Sequence, residues 1–190
     1  MSTRLILASA SPRRRQLLSM LDYEFEVVAS RSDESLPPET GPAEAARLLA
    51  RRKARAVADL YPDAVVVGAD TMVVCGDRIL GKPADEADAA RMLSMLSGRS
   101  HRVLTGLCVL GGGREQTAVE ETGVYFIPLT AEAVAAYVAT GEPLDKAGAY
   151  AIQGGAGKFV RRIEGCYYNV GGLPLATLDR MLTAAGCRRG

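Results

Sequence analysis

The chain has 190 residues, enough for one compact domain or for two lobes on a shared sheet, with room for a sizeable core. Hydrophobic residues make up 48% and charged residues 24%, the balance of an ordinary soluble globular protein. A net charge of +1 supplies no bulk positive field toward nucleic acid or an anionic membrane, so any anion site must be local.

Leu5-Ile6-Leu7-Ala8 is a short apolar run and predicts a buried strand. Its end, Ala8-Ser9-Ala10, superficially resembles a signal-peptide cleavage pattern. The run is too short for an h-region, however, and arginines follow at once. No stretch approaches the length of a membrane span, so a reduced, cytoplasmic protein is expected.

Ser9-Ala10-Ser11-Pro12-Arg13-Arg14-Arg15 comes next. Ser11 is a good helix N-cap and Pro12 suits the first helical position, so a helix is predicted from Pro12 through Gln16-Leu17-Leu18 toward Leu21. Arginines in a first turn lie at the positive end of the helix dipole, where cations are disfavoured. Either the turn is simply basic and solvated, or an anion sits there, held by backbone N–H groups, serine hydroxyls and guanidinium forks.

Glu24-Phe25-Glu26-Val27-Val28 alternates as a half-buried strand should, and a polar loop over 30–42 then carries Asp33-Glu34. Acidic loops are usually only solvated, but this one lies close in sequence to the arginine turn, and Glu34 is a candidate metal ligand. Residues 42–60 predict a helix with an apolar stripe through Ala46, Ala50, Val57 and Leu60. Lys53 falls on that stripe, where it either snorkels or delivers a cation into a cleft.

The β-branched run Ala64-Val65-Val66-Val67-Gly68-Ala69 predicts a strand covered on both faces, ending at Asp70-Thr71. A carboxylate directly after a buried strand is well placed for chemistry, because ligands in α/β sheets collect at strand ends. Residues 72–75 and 78–80 predict a hairpin about Gly76-Asp77, and Lys82 follows in a loop between Gly81 and Pro83.

Asp85 caps a predicted helix carrying Ala89, Met92, Leu93 and Leu96, stopped at Gly98, with the methionines as core filling. Strands over 102–110 and 116–127 are joined through Gly111-Gly112-Gly113, which lacks the Lys-Ser/Thr and helix of a P-loop. His101 has no Ser or Cys nucleophile pattern near it and is read as structural. A helix over 131–139 ends at Gly141. Residues 145–172 interleave glycines with Tyr150, Ile152, Phe159, Tyr167 and Tyr168, too aromatic for a linker. Glycines there would let backbone approach a ligand, with Gln153 a candidate amide reader of a base or sugar. Pro174 opens a last helix through Leu175, Leu178 and Leu182 that closes at Gly186. The four cysteines form no Cys-x-x-Cys pair, and with one histidine a Cys/His metal site is not expected; Cys75 and Cys108 read as core residues.

Taken together, Ser9-x-Ser11-Pro12-Arg13-Arg14, Lys53, Gly68-Ala69-Asp70-Thr71, Leu80-Gly81-Lys82-Pro83, Ser97-Gly98-x-x-His101-x-Val103-x-Thr105-Gly106 and Asp145-Lys146-Ala147-Gly148-Ala149-Tyr150-Ala151-Ile152-Gln153-Gly154 resemble the Maf family of nucleoside triphosphate pyrophosphatases, first discussed as septum-formation inhibitors. The resemblance runs from about residue 5 to residue 182, and the last motif is similar to the branch acting on dTTP and UTP rather than 7-methyl-GTP. Gly123 departs from the pattern, where a charged or polar residue is expected, and lies outside the implied site.

The resemblance implies an α/β fold: a single domain over 1–190 with a curved mixed β-sheet, flanking helices and two lobes around a central cleft, similar to inosine triphosphate pyrophosphatases. It implies hydrolysis of dTTP and UTP to the monophosphate and pyrophosphate, with Asp70 as general base. Ser9, Ser11, Arg13, Arg14, Lys53 and Lys82 would bind phosphates and the leaving group, and Arg13, Thr71 and Gln153 would set specificity. A divalent cation, Mg²⁺ or Mn²⁺, would be held by Glu34 and Asp70; whether Asp70 touches metal, water or both stays open. The expected partner is a nucleoside triphosphate, with no nucleic acid and no membrane, and a homodimer is admitted. The rival readings are a 7-methyl-GTP or broad-specificity pyrophosphatase, and a non-catalytic nucleotide-binding regulator of division.

Overall fold

In the computed structural model, which describes residues 4–190, β1 (Leu5–Ala8) is buried along its whole length. A strand apolar on both faces has to lie inside a sheet. It pairs in parallel with β2 (Glu26–Val27) on one side and with β3 (Val65–Cys75) on the other. β4 (Arg78–Leu80) runs antiparallel to β3, and β7 (Val160–Glu164) antiparallel to β6 (Arg114–Phe126). With β5 (Ser100–Gly111), these make one seven-stranded mixed sheet in the order β2-β1-β3-β5-β6-β7, with β4 paired to β3.

The flanking helices are α1 (Pro12–Leu18), α2 (Pro42–Ala58), α3 (Glu86–Leu96), α4 (Ala131–Val138), α5 (Tyr167–Val170) and α6 (Leu175–Ala184). The α/β class with a mixed sheet and flanking helices is therefore the one expected. Among the described residues no helix is long and apolar enough to cross a membrane. The chain divides into two compact units: Met1–Asp70, Thr105–Glu120 and Gly172–Gly190 in the first, Thr71–Leu104 and Glu121–Gly171 in the second.

In the first unit α2 lies directly on the sheet. Ala50, Ala54 and Val57 pack on Ile6, Ala8, Val66 and Cys108. The approach is so close that a Cβ at Gly68 would stand 2.2 Å from the Ala50 carbonyl oxygen, and one at Gly106 2.2 Å from that of Ala46. Glycine is thus required at both positions by lack of space, with neither adopting a positive φ. The helix ends at Ala58, so Leu60 does not join its apolar stripe: the turn beyond the C-cap leaves it 70% exposed. Ala45, Leu49 and Ala54 take that role instead.

Two strand predictions are corrected here. The strand expected over 24–28 is only Glu26–Val27, an exposed two-residue edge that pairs with Ile6 and Leu7 of the short β1. And β3 does not end before Asp70; it runs on through Asp70 and Thr71 to Cys75. β1 pairs with β3 as far as Gly68, and β4 takes up pairing at Val73, so Asp70 lies on a continuous strand in the interval that neither register covers.

The second unit has its own core, in which Met92, Leu93 and Leu96 of α3 meet Val73, Phe126, Tyr137 and Phe159. Its helices begin as the sequence predicts. Asp85 Oδ1 accepts from the Asp88 N–H at 2.8 Å, and Thr130 Oγ1 from the Ala133 N–H at 3.2 Å. Gly112 and Gly113, both at positive φ, turn β5 into β6 in two residues.

The segment over 145–172 departs furthest from expectation. Tyr150, Ile152 and Phe159 are core residues, and the stretch contains short 3-10 turns, β7 and α5, which its glycines had masked. At two of those glycines the close neighbour is protein. A Cβ at Gly148 would meet Val73, and one at Gly154 would fall 1.9 Å from Glu142 Oε1. All four cysteines are free thiols, with Cys75 and Cys108 buried in strands as expected.

His101 is structural, as read from the sequence: 2% exposed, edge-on to Phe126 and Tyr150 at ring separations of 5.0 and 5.3 Å. Burial lowers its pKa from 6.5 to about 4.

Two outcomes follow from this packing. Alanine at Gly68 or Gly106 should cost about 1–3 kcal/mol or more in urea unfolding, since α2 must lift off the strands, whereas Gly81→Ala, with open space at its Cβ position, should be near neutral. For His101 the folded state resists protonation, so the unfolded chain takes the proton first. Its contribution to stability is complete above pH 6.5 and is lost as pH falls toward about 4. Unfolding measured across that range should show a shallower loss in His101→Phe than in the parent chain.

Candidate functional site

The site grows from the first turn of α1. Ser11 caps the helix, its Oγ accepting from the Arg14 N–H at 3.5 Å, and Ser9 Oγ accepts from the Ser11 N–H at 3.2 Å. Both hydroxyls shape the turn, and each keeps its own O–H to donate. Pro12 brings no N–H, so the guanidinium groups supply much of the anion-binding capacity here. Arg14 Nε donates to the Gly172 carbonyl at 2.9 Å, which fixes the side chain's direction. Its pKa is lowered from the ordinary value, first by burial and also by the neighbouring Arg13, while the charges of Asp70 and Glu34 oppose that shift. Arg15, by contrast, is exposed in the last turn of the helix.

Asp70 reaches the same place from β3. Side chains alternate along a strand, so Val66, Gly68 and Asp70 share one face, and Val66 and Gly68 both pack against α2. On that helix, Lys53 stands next to Ala54, which touches Gly68. Its Nζ donates to Asp70 Oδ1 at 2.5 Å and lies 2.9 Å from Glu34 Oε1. The Lys53 and Asp70 side chains are only 15% and 13% exposed, so the ammonium is not snorkelling into water; it is held by a carboxylate. Glu34 comes from the loop before α2, which Arg52 ties down by donating to the carbonyls of Asp33 and Ser35.

Ser9, Ser11, Arg13, Arg14, Glu34, Lys53 and Asp70 thus all belong to the first unit. Thr71, Lys82 and Gln153 belong to the second. Thr71 follows Asp70 on β3 and points to the opposite face of the strand. Lys82 is exposed in the loop after β4, where the neighbouring Gly81 carbonyl accepts from the Gly148 N–H at 3.0 Å. Gln153 is exposed in a turn closed by the Gly154 N–H on the Ala151 carbonyl at 3.1 Å.

Glu34 and Asp70 offer carboxylate oxygens to one cation, the donor chemistry that suits a hard divalent ion. Among the described residues no group of three His, Cys, Asp or Glu could hold such an ion by itself. An ion at these two carboxylates would need further oxygens from outside the protein. Mg²⁺ is commonly bound in that way, by one or two carboxylates together with substrate phosphates, and the residues fit it.

Sequence reasoning missed several contributors. Gly68 and Gly106 were read only as parts of motifs, although they set the distance between α2 and the sheet. The Gly172 carbonyl, 158 positions from Arg14, left no signal in the spacing. Glu142 drew no attention in the sequence, yet its Oε2 accepts from the Gly155 N–H at 2.9 Å.

The family profile described as Maf-like protein matches residues 4–185. A dTTP/UTP pyrophosphatase of a Geobacillus strain is 54% identical over 182 residues, covering 96% of this chain and 98% of its own. Proteins of the same name from Symbiobacterium thermophilum and Pelotomaculum thermopropionicum are 53% and 50% identical, each over 96% of this chain, and over 94% and 96% of their own lengths.

The Lys53 pair has a thermodynamic signature. Lys53→Met should cost about 2 kcal/mol in denaturant unfolding, because it strands the Asp70 carboxylate in a poorly hydrated place. The double variant Lys53→Met/Asp70→Asn should be less destabilised than the sum of the singles by at least about 1 kcal/mol. Additive single effects would mean that the two charges do not interact.

Proposed function

The chain belongs to the Maf-like protein family, and from that membership we propose that it hydrolyses dTTP and UTP to the nucleoside monophosphate and pyrophosphate. The substrates follow the names of relatives about half identical over almost the whole chain. The observation that carries the chemistry is Lys53, its ammonium shared by Asp70 and Glu34 beside Arg14. A cluster that brings cations and carboxylates together suits a substrate that is itself polyanionic and must be attacked by water.

In this reading Arg13 and Arg14 grip phosphate oxygens, with the Ser9 and Ser11 hydroxyls donating to others. Lys53 and Lys82 offset charge on the triphosphate and on the departing pyrophosphate. Asp70 is the general base. Its Oδ1 is engaged by Lys53, so Oδ2 is the atom that takes the proton from the attacking water. Lys53 keeps that carboxylate oriented on its strand. Glu34 and Asp70 would hold Mg²⁺ or Mn²⁺, which supplies Lewis-acid stabilisation of phosphate charge when bound.

Specificity is assigned to Arg13, Thr71 and Gln153. The Gln153 amide offers a donor and an acceptor to the O4 and N3–H edge that thymine and uracil share, whereas cytosine presents the opposite pattern. A site that hydrogen-bonds a base edge rejects mismatched analogues strongly, because buried polar groups are then left unpaired. A cationic 7-methyl-guanine would need a larger pocket with a face for its ring.

The test is a nucleoside triphosphate panel with Mg²⁺ or Mn²⁺, detecting pyrophosphate separately from orthophosphate. dTTP and UTP should be good substrates, with CTP and 7-methyl-GTP poor. Asp70→Asn should lower the rate far more than tenfold, or about 1.4 kcal/mol, while nucleotide binding survives. A folded chain that releases no pyrophosphate from any member of the panel would remove the enzyme reading, and a preference for 7-methyl-GTP would remove the pyrimidine one.

A further inference from the structure

Over residues 148–156, Gln153 is the one residue with a side chain that is exposed. Gly154 and Gly155 are exposed but carry none, and the other six positions are buried. The backbone on both sides of it is gripped by side chains from other elements of the second unit. Tyr137, buried in α4, accepts from the Ala151 N–H at 3.1 Å through its hydroxyl. Glu142 accepts from the Gly155 N–H at 2.9 Å, and its carboxylate fills the space where a Cβ on Gly154 would have to go. Tyr150 bonds His101 Nε2 through its own hydroxyl at 2.8 Å. The turn itself closes between Ala151 and Gly154, with Ile152 and Gln153 as its central residues.

These polar groups are committed to particular partners in an otherwise apolar core. Tyr137, Tyr150 and His101 are 2%, 5% and 2% exposed, and without the Tyr137 hydroxyl the Ala151 N–H would lose its acceptor. His101 Nδ1 is buried without a hydrogen-bond partner among the described residues. What the Tyr137 hydroxyl and the Glu142 carboxylate achieve is directional: each holds one backbone N–H at an end of the turn.

We propose that Tyr137 and Glu142 are positioning residues for base discrimination, fixing the turn so that the Gln153 amide is presented in one orientation. This rests on the reading of Gln153 as the base reader. Pre-organising a polar reader sharpens the difference between matched and mismatched edges, because a mobile amide could turn to satisfy either.

The test measures kcat/KM for UTP and for CTP in Tyr137→Phe, Glu142→Ala, Glu142→Gln and Gln153→Ala. Tyr137→Phe removes one oxygen and keeps the ring packed edge-on to Phe159 at 5.4 Å, so the variant should fold. The UTP-to-CTP ratio should fall about tenfold in Tyr137→Phe and in Glu142→Ala. Glu142→Gln keeps an acceptor oxygen and should restore the ratio. Adding Tyr137→Phe to Gln153→Ala should lower the ratio no further. A purely structural role would reduce the melting temperature and leave the ratio alone. If Gln153→Ala changes the ratio while Tyr137→Phe and Glu142→Ala do not, the positioning role is overturned and the reader stands. If Gln153→Ala itself leaves the ratio unchanged, the reader is overturned, and the positioning role with it.

Discussion

Two missing side chains set the geometry of the first unit. At Gly68 and Gly106 the backbone of α2 lies on the strands at a separation that no Cβ could occupy. Helix-on-sheet layers are normally spaced by interdigitating side chains; here the helix comes closer. A residue on that helix face therefore needs little reach to meet a residue on the strand face below. Lys53 and Asp70 meet under that condition, one residue from Ala54 and two from Gly68. The alanines at 46, 50 and 54 belong to the same requirement, since larger residues would push the helix outward.

The charges that result counterbalance one another within the protein. Lys53 sits between Asp70 and Glu34, and the same carboxylates offset the desolvation of Arg14. Burial of unpaired charge is costly, so cations gathered in one place need internal counter-ions. Carboxylates suit that holding role, since each carries a second oxygen beyond the one that balances the lysine.

Much of this could be read in the chain because each signal was local. Ser11-Pro12 announced the cap, Asp85 began a helix as its type suggests, and the position of Lys53 on an apolar stripe marked it as unusual. The misreadings share a different cause. Asp70 was placed beyond a strand because Asp-Thr breaks an apolar run, but pairing on both sides of the break carries the strand through it. Leu60 was counted on the α2 stripe because periodicity does not report where a helix stops. The glycines over 145–172 marked a need for space, which is visible in sequence while the identity of the neighbour is not. That neighbour was Val73 for Gly148 and Glu142 for Gly154.

The two carboxylates on Lys53 ride on very different backbone. Asp70 belongs to an eleven-residue strand, whereas the Glu34 side chain is 65% exposed on a loop that Arg52 and Lys53 fasten to α2. Strands inside a sheet open only with global unfolding, and exposed loops with few buried contacts open on far smaller free energies. Any rearrangement of charge around Lys53 is therefore asymmetric: opening the loop parts Lys53 from Glu34, while its pair with Asp70 lasts as long as the sheet does.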